Sequence, residues 1–224
     1  MCENMDKTIF NGLNVDEVFK NGKKFRDLMT CYNCAIMEVE TKFKVLNAEF
    51  STLHDRNPIE SIKSRLKDPI SIYNKLKKLD KEVSITSIQE NLYDVAGVRV
   101  ICSFIDDVYF LADCISKQND VEVVTIKDYI KNPKENGYRS YHMIIKIPIF
   151  YADEVKHIAV EIQFRTIAMD FWASLEHTIR YKKGIENNQE IEQELKECAL
   201  SSHEWDEKMQ KIRALIETKI KSEE

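Results

Sequence analysis

The sequence is poor in residues that interrupt regular structure, with only five glycines and four prolines among 224 residues. Glycine and proline are the strongest local breakers of helices and strands, so long elements joined by few loops are expected. The length suits one domain with extensions rather than several domains. A hydrophobic content of 43% is enough for a core, and a charged content of 32% indicates a well-solvated surface.

The chain also lacks a positive charge excess and a long apolar run. Its formal net charge is -5 and its pI is about 5.7, whereas dedicated nucleic-acid binders usually carry a basic surface. No apolar run could span a bilayer, and the N-terminus lacks the basic start and apolar core of a signal peptide. These absences predict a cytoplasmic protein without a membrane partner, and they leave room for a local cationic pocket.

The cysteines are scattered, which does not suggest a disulfide framework. Cys31 and Cys34 form a CxxC pair, but a zinc site would need further ligands at a suitable spacing. The pair also lies inside a helical pattern, so we interpret it as two packed residues. In a reducing compartment free thiols are expected at all six cysteines: Cys2, Cys31, Cys34, Cys102, Cys114 and Cys198.

Residues 160–165 carry an unusual alternation. Successive side chains of a strand point to opposite faces, so three apolar side chains would share one face and Glu161, Gln163 and Arg165 the other. Burying such a polar face without partners is costly, so we expect it to border a polar ligand. Upstream, residues 131–142 (KNPKENGYRSYH) place cations around a Gly-Tyr turn. Together the two segments indicate a site for a phosphorylated, metal-bound nucleotide.

The hydrophobic pattern predicts helix, then an α/β core, then helix. Apolar residues at three- and four-residue steps predict a helix over 14–53 with a break at Asn21-Gly22, and another from 188 with a break near Ser201-Ser202. Asp68 and Pro69 are typical of a helix start. Strands are predicted over 92–104, 121–126, 141–150 and 158–165, and further helices after Ile105 and over 166–181.

We therefore divide the chain into a helical extension over 1–55, an α/β domain over 56–185 and a second helical extension over 186–224. The terminal helices carry apolar stripes that a small core does not cover. Exposed stripes of this kind usually indicate self-association, which we assign to the C-terminal extension.

Two carboxylates belong to predicted core strands, Asp94 and Glu161. If these strands are neighbours, both acids can converge on one cation, and Mg²⁺ prefers oxygen ligands together with substrate phosphates. Other interpretations stay open at this point: Asp94 caps a turn, and Glu161 pairs with Arg165 or Arg99.

Cations suited to phosphate oxygens surround these acids in sequence. Arginine grips phosphate as a fork and lysine acts as a point charge. Tyr138 could stack on a purine, and His142 could contact a phosphate or sugar. The cations that could neutralise a triphosphate are Arg65, Lys67, Lys75, Lys78, Lys127, Lys134 and Arg139.

Four ordered segments carry a family resemblance: NPIESIKSRLKDPISIYNKL, YDVAGVRVICSFIDDVY, IKDYIKNPKENGYRSYH and VEIQFRTIAMDFWASLEHTIRYK. Over residues 57–183 the chain resembles the synthetase domain of the RelA/SpoT homologues, and more closely the small alarmone synthetases of the RelP and RelQ type. The resemblance implies an α/β (α+β) fold, a nucleotidyltransferase-like mixed β-sheet flanked by helices. It also implies transfer of pyrophosphate from ATP to the 3′-hydroxyl of GDP or GTP, giving AMP and the stringent-response alarmones ppGpp or pppGpp.

The resemblance also implies residue roles. The ATP phosphates would be bound by Arg65, Lys67, Ser71, Lys75 and Lys78. The acceptor, GDP or GTP, would lie against Lys127, Lys134, Asn136, Tyr138, His142 and Gln163, with guanine stacked on Tyr138. Asp94 and Glu161 would be the catalytic residues and the Mg²⁺ ligands, with Glu161 holding the metal or accepting the hydroxyl proton.

Assembly and regulation follow from the same resemblance. It implies a homotetramer formed through the terminal helices. Some RelQ-like members are activated by their product and have an aromatic residue after the glutamate of Pro-Ile-Glu, where this chain has Ser61. RelP-like behaviour without product activation is therefore expected.

Two rival functions remain open on the sequence alone. The first is pyrophosphate transfer to tRNA or to adenine nucleotides. The second is a non-catalytic sensor of guanine nucleotides or a binder of single-stranded RNA. The acidic pI disfavours nucleic acid as a partner, apart from weak binding of single-stranded RNA.

Overall fold

The computed structural model describes residues 15–54, 56–183 and 189–223. Cys2 and Asn188, and the first and last residues of the two predicted extensions, lie outside these ranges. The elements follow the order α1 (Val15–Leu53), β1 (Ile59–Leu66), α2 (Pro69–Lys78), α3 (Ile85–Asn91), β2 (Ala96–Cys102), α4 (Ile105–Ser116), β3 (Glu122–Asp128), β4 (Tyr141–Phe150), β5 (Val155–Thr166), α5 (Ile167–Lys183) and α6 (Gln189–Glu223).

The strands form one five-stranded sheet in the order β1-β2-β5-β4-β3. β2 and β5 are parallel, and the other neighbouring pairs are antiparallel. The predicted mixed sheet flanked by helices is therefore confirmed, and the four predicted strands correspond to β2, β3, β4 and β5.

One face of the sheet is apolar and forms the hydrophobic core together with the helices packed against it. The alternation in β5 buries Val160, Ile162 and Phe164 completely, and α1 packs along this face against four of the five strands. Phe43 of α1 meets Phe164 edge to face at 5.7 Å between ring centroids. Each such side chain contributes roughly 1.5–3 kcal/mol on burial, so this face fixes the register of the strands.

The two predicted helix breaks are wrong. α1 runs through Asn21-Gly22 and α6 runs through Ser201-Ser202 without interruption. A mid-helix glycine costs only roughly 0.5–1 kcal/mol relative to alanine, which a long helix packed on a sheet tolerates. Ser202 is buried and donates its hydroxyl to the carbonyl of Ala168 in α5 at 2.9 Å, so this residue anchors α6 instead of ending it.

Two apolar rows on the C-terminal helices face outward, as predicted for an uncovered stripe. The row on α5, spaced by four residues, is between 41% and 59% exposed: Ile167, Phe171, Leu175 and Ile179. The row on α6 is between 49% and 60% exposed: Trp205, Met209, Ile212 and Ile216.

The cysteines inside the described ranges are free thiols, as predicted, and Cys31 is buried in the core. Over residues 15–54, 56–183 and 189–223, no helix combines the length and apolar character needed to cross a membrane.

Candidate active site

The second face of the sheet is polar because of one row of side chains that crosses every strand. The backbone register places Lys63 opposite Arg99, Arg99 beside Gln163, Gln163 opposite His142, and His142 opposite Lys127. Residues opposite each other in neighbouring strands project to the same face. A sheet with one apolar and one cationic face therefore results from period-two alternation in the strands.

A cleft of about 580 Å³ lies over this polar face, with α5 as its far wall. Ala173, Ser174, Glu176 and His177 line that wall. Six of the predicted site residues line the cleft: Arg65, Lys67, Asp94, Tyr138, Glu161 and Gln163.

Asp94 lies two residues before β2 and is the centre of the cationic end of the cleft. Its Oδ2 accepts from Lys67 Nζ at 2.5 Å and from Lys75 Nζ at 2.6 Å. Burial disfavours the charged carboxylate, but the two lysines outweigh burial, so the pKa of Asp94 lies below its ordinary value. Asp94 is therefore a carboxylate at neutral pH.

Glu161 on β5 is held at both oxygens. Oε1 lies 3.1 Å from His142 Nδ1, and Oε2 accepts from Gln163 Nε2 at 2.8 Å. Burial raises the pKa and repulsion from Asp94 adds to it, but the contacts with His142 and Gln163 prevail and the pKa of Glu161 falls below its ordinary value. The two carboxylates therefore face one cleft within electrostatic reach of each other.

The alternative pairing of Glu161 with Arg99 or Arg165 is wrong. Both guanidinium groups donate instead to Oδ1 of Asp170 in α5, Arg99 at 3.1 Å and Arg165 at 3.0 Å, and Lys63 Nζ reaches Oδ2 at 3.1 Å. Burial raises the pKa of Asp170, but these three cations together lower it below the ordinary value.

Asp170 is a functional candidate that sequence reasoning missed, because its partners come from three different strands. One signal was present: two arginines predicted on core strands need an acid, and Asp170 is the first acidic residue after β5.

Tyr138 stands at the opposite end of the cleft from Lys67 and Lys75, in a hydrogen-bonded aromatic cluster. Its hydroxyl lies 2.9 Å from His142 Nε2 and accepts from Arg165 Nη2 at 2.8 Å. Lys134 Nζ lies 5.0 Å from the centroid of the ring, and Trp172 packs at 6.5 Å between centroids. Tyr138 is thus connected through His142 to Glu161.

The remaining predicted residues fall into two groups. Lys75, Lys134, Asn136 and His142 do not line the cleft but contact residues that do: Asn136 Oδ1, for example, accepts from the N–H of Tyr138 at 3.2 Å. The other three neither line the cleft nor contact a residue shown to line it: Ser71 and Lys78 lie on α2, and Lys127 lies on β3 opposite His142. The roles of all these residues stay predictions.

Arg139 does not contribute to the cationic set of the cleft, which corrects the expectation from sequence. Its Nη1 donates to the carbonyl of Ile130 at 2.6 Å, so the guanidinium braces the loop between β3 and β4.

The donor set fits a hard cation that also binds substrate. No group of three or more His, Cys, Asp or Glu side chains in the described ranges is arranged to hold a metal on its own. However, Oδ1 of Asp94 is buried without a hydrogen-bond partner, and Glu161 adds carboxylate oxygens to the same cleft. Mg²⁺ is usually bound by one or two carboxylates plus substrate phosphates and water, which is the kind of site these residues offer.

Comparisons with known proteins show which proteins this chain is similar to. The family described as "Region found in RelA / SpoT proteins" matches residues 64–186. The GTP pyrophosphokinase YwaC of Bacillus subtilis is 41% identical over 204 residues, which cover 91% of this chain and 97% of that protein.

Solved structures extend the comparison to the fold. The small alarmone synthetase 2 of B. subtilis has 42% identity and a TM-score of 0.77, covering 85% of this chain and 98% of that one. The small alarmone synthetase 1 of B. subtilis, bound to its product pppGpp, has 32% identity and a TM-score of 0.80, covering 87% of this chain and 98% of that one.

Proposed function

Because this chain belongs to the RelA/SpoT family, we propose that it is a GTP/GDP diphosphokinase that makes alarmones of the stringent response. It transfers the pyrophosphoryl group of ATP to the 3′-hydroxyl of GDP or GTP, and it releases AMP together with ppGpp or pppGpp. The observation that carries this proposal is the position of Asp94 and Glu161, which face one cleft between a lysine-rich end and an aromatic end.

ATP binds at the lysine-rich end in this proposal. Arg65 on β1 and Lys67, which directly follows β1, line the cleft, and Lys75 on α2 contacts Asp94. Ser71 and Lys78 lie on the same helix, where Lys78 adds a further positive charge and Ser71 a hydroxyl group. Lysine and arginine neutralise phosphate oxygens and orient the triphosphate, and positioning with charge neutralisation supplies most of the catalysis in such transfers.

The acceptor binds at the aromatic end. Guanine stacks on Tyr138, while Lys127, Lys134, Asn136, His142 and Gln163 contact its sugar and phosphates. The cation–π contact between Lys134 and Tyr138 supports this placement, since it brings a phosphate-binding charge next to a base-stacking ring.

Asp94 and Glu161 would hold Mg²⁺, which when bound neutralises charge on the transferred phosphates. The acceptor 3′-oxygen attacks the β-phosphorus of ATP, the bond from that phosphorus to the oxygen of AMP breaks, and the hydroxyl proton passes to Glu161. The lowered pKa of Glu161 keeps the carboxylate ionised before the transfer. Gln163 and His142 hold the carboxylate in one orientation.

Assembly into a homotetramer through the terminal helices, in the cytoplasm, belongs to the same proposal. The exposed apolar rows on α5 and α6 support self-association, because soluble monomers rarely expose large contiguous apolar patches. Light scattering of the full chain tests it, and a monomer at micromolar concentration would overturn it.

The function is tested by incubating the protein with γ-labelled ATP, Mg²⁺ and one acceptor at a time: GDP, GTP, ADP or tRNA. Label on GDP and GTP, with equimolar AMP, is the expected result, and Glu161→Gln serves as the inactive control. Label on tRNA or ADP alone would replace the guanosine assignment. Tight guanine nucleotide binding with no ATP consumed would instead identify a sensor.

A further inference from the structure

The segment 134–138, which we call the acceptor loop, rests directly on α6. Gly137 has a φ of +85°, and a Cβ added there would lie 2.5 Å from the Cβ of Ala199 and 3.7 Å from the carbonyl oxygen of Lys196. The first distance is far below a normal carbon–carbon contact of about 3.5–4.0 Å. There is therefore no room for a side chain at Gly137, and the part of α6 that faces it carries only the methyl group of Ala199.

This close contact lies one residue from the ring that faces the acceptor. Tyr138 packs on a small cluster formed by Trp172, Ala173 and Ala199, all of them buried. Trp172 is fixed in turn to α6, because its Nε1 donates to the carbonyl of Leu195 at 2.8 Å. α6 thus contacts the acceptor loop directly at Gly137 and indirectly through Trp172.

The acceptor loop is short and held together by its own backbone hydrogen bonds. The Gly137 N–H donates to the carbonyl of Lys134 at 2.8 Å, and the Lys134 N–H donates to the carbonyl of Tyr138 at 3.1 Å. We therefore expect a displacement at Gly137 to shift Tyr138 and Lys134 as well.

We propose that Ala199 of α6 is a positioning residue for the acceptor site: its methyl group, packed on Gly137, sets the position of the acceptor loop and therefore of Tyr138. The inference rests on the proposed function, because it concerns the acceptor side of that same cleft. It goes further because it assigns control over the position of the acceptor to α6, a helix outside the nucleotide cleft.

The donor side provides the contrast that makes the inference testable. Lys67, which directly follows β1, and Lys75 on α2 bind Asp94, whereas α6 packs mainly against α5 and α4. A larger side chain at 199 should therefore disturb acceptor binding and leave ATP binding unchanged.

The primary test is Ala199→Val, with Cys198→Val as the matched control. Cys198 is the preceding residue of α6 and is exposed, so its variant introduces the same β-branched residue into the helix without touching the loop. We expect Ala199→Val to raise the KM for GDP by about tenfold or more, since small misplacements of bound groups have large effects. The KM for ATP should stay within about twofold, as for sites that do not share contacts.

GDP affinity measured by calorimetry gives a readout that does not depend on turnover. A weaker GDP affinity for Ala199→Val, in a protein that remains folded and has unchanged light scattering, supports positioning. Equal losses for GDP and ATP, or no loss for either, would overturn the inference. If the wild-type chain binds GDP but forms no labelled product, the proposed function fails while the calorimetric comparison still decides the role of Ala199.

A second pair of variants keeps the test usable if valine at 199 prevents folding. Gly137→Ala adds the methyl group from the loop side, and Ala199→Gly removes the one it would meet. Because alanine at a φ of +85° is strained regardless of space, some loss remains in either background. The inference predicts that Gly137→Ala weakens GDP binding clearly less when Ala199→Gly is also present, and equal losses in the two backgrounds would contradict it.

Discussion

The two ends of the cleft are built on different physical principles. At the donor end, Asp94 contacts two lysines whose side chains are 11% exposed (Lys67) and 37% exposed (Lys75). We therefore expect recognition there to depend on charge that water and salt can screen. At the acceptor end, Tyr138 is held by hydrogen bonds to His142 and Arg165, and Arg165 is only 5% exposed. Recognition at that end depends on shape and fixed geometry.

Under the proposed function, this difference would let one cleft distinguish two nucleotides that both carry phosphates. Lysines on flexible stems accept any polyphosphate of suitable length. A ring fixed by several partners accepts a base only in one plane. We therefore expect the donor end to supply affinity for the triphosphate and the acceptor end to supply selectivity.

The largest expected effect lies where the two ends meet. Glu161→Gln keeps the size of the side chain but removes its ability to take a proton, so the initial rate of alarmone formation should fall by about 10²–10⁴-fold. Asp94→Asn should cause a comparable loss, because the lysines around Asp94 lose their counter-charge. Circular dichroism must show that both variants remain folded. Near-normal rates in either folded variant would disprove the shared role of the two carboxylates.

The fold was largely predictable from the sequence, because one face of the sheet is buried and the alternation in β4 and β5 is therefore explicit. β1 was missed although Ile62 and Leu66 alternate with Lys63 and Arg65. It is an edge strand that buries little, and its charges suggested a solvated segment before the helix that begins at Pro69. α3 was missed as well, since a helix of 7 residues carries too little periodicity to identify.

The site was predictable only where neighbours in sequence become neighbours in space. Glu161 and Gln163 share a strand face, and Tyr138 and His142 are four residues apart, so each pair follows from local geometry. Asp170 instead binds Lys63 from 107 residues away and Arg99 from 71 residues away. No local pattern encodes such contacts, because they arise only when the sheet and α5 assemble.

The next largest effect is expected at Asp170, and it should alter the binding of both nucleotides. Asp170 accepts from Arg99 and Arg165 at Oδ1 and from Lys63 at Oδ2. Asp170→Asn leaves Arg165 buried without its counter-charge, which typically costs about 3–5 kcal/mol. We expect a lower free energy of unfolding together with higher KM values for both nucleotides.

Denaturant unfolding and paired KM measurements check this expectation for Asp170. Asp153→Asn, an exposed aspartate in the turn between β4 and β5, is the matched control and should change neither quantity. A folded Asp170→Asn variant that loses only one substrate would assign Asp170 to one end of the cleft.

A smaller and selective effect is expected from truncating one residue at each end. Tyr138→Ala removes the stacking ring, worth roughly 1–3 kcal/mol per base in comparable systems, and should raise the KM for GDP much more than that for ATP. Lys75→Ala should do the reverse, and its effect should shrink as salt concentration rises. Equal losses for both nucleotides in Tyr138→Ala would remove the distinction between the two ends.

The smallest expected effect concerns pH and has opposite signs at the two ends. Beneath the acceptor end, Asp206 of α6 accepts from the Thr166 hydroxyl at 2.6 Å, and burial raises its pKa to about 6 against the weaker lowering by Thr166 and Arg139. The native state therefore holds this proton more tightly than the unfolded chain. The contribution of Asp206 to stability grows as the pH falls through about 6, and it is lost as the pH rises. Asp94 at the donor end has a lowered pKa, so its contribution is lost as the pH falls through its native value.

The variant Asp206→Asn separates these two contributions, because asparagine can still accept from Thr166 but cannot titrate. Above about pH 6 the variant should be more stable than the wild type by about 1–3 kcal/mol, since a shift of one pKa unit corresponds to about 1.4 kcal/mol. As the pH is lowered from about 7 to about 5, wild-type stability should approach that of the variant. Urea unfolding of both proteins across this range measures the difference. Parallel pH profiles would mean that Asp206 titrates normally, and the opposite signs assigned to the two ends would then be wrong.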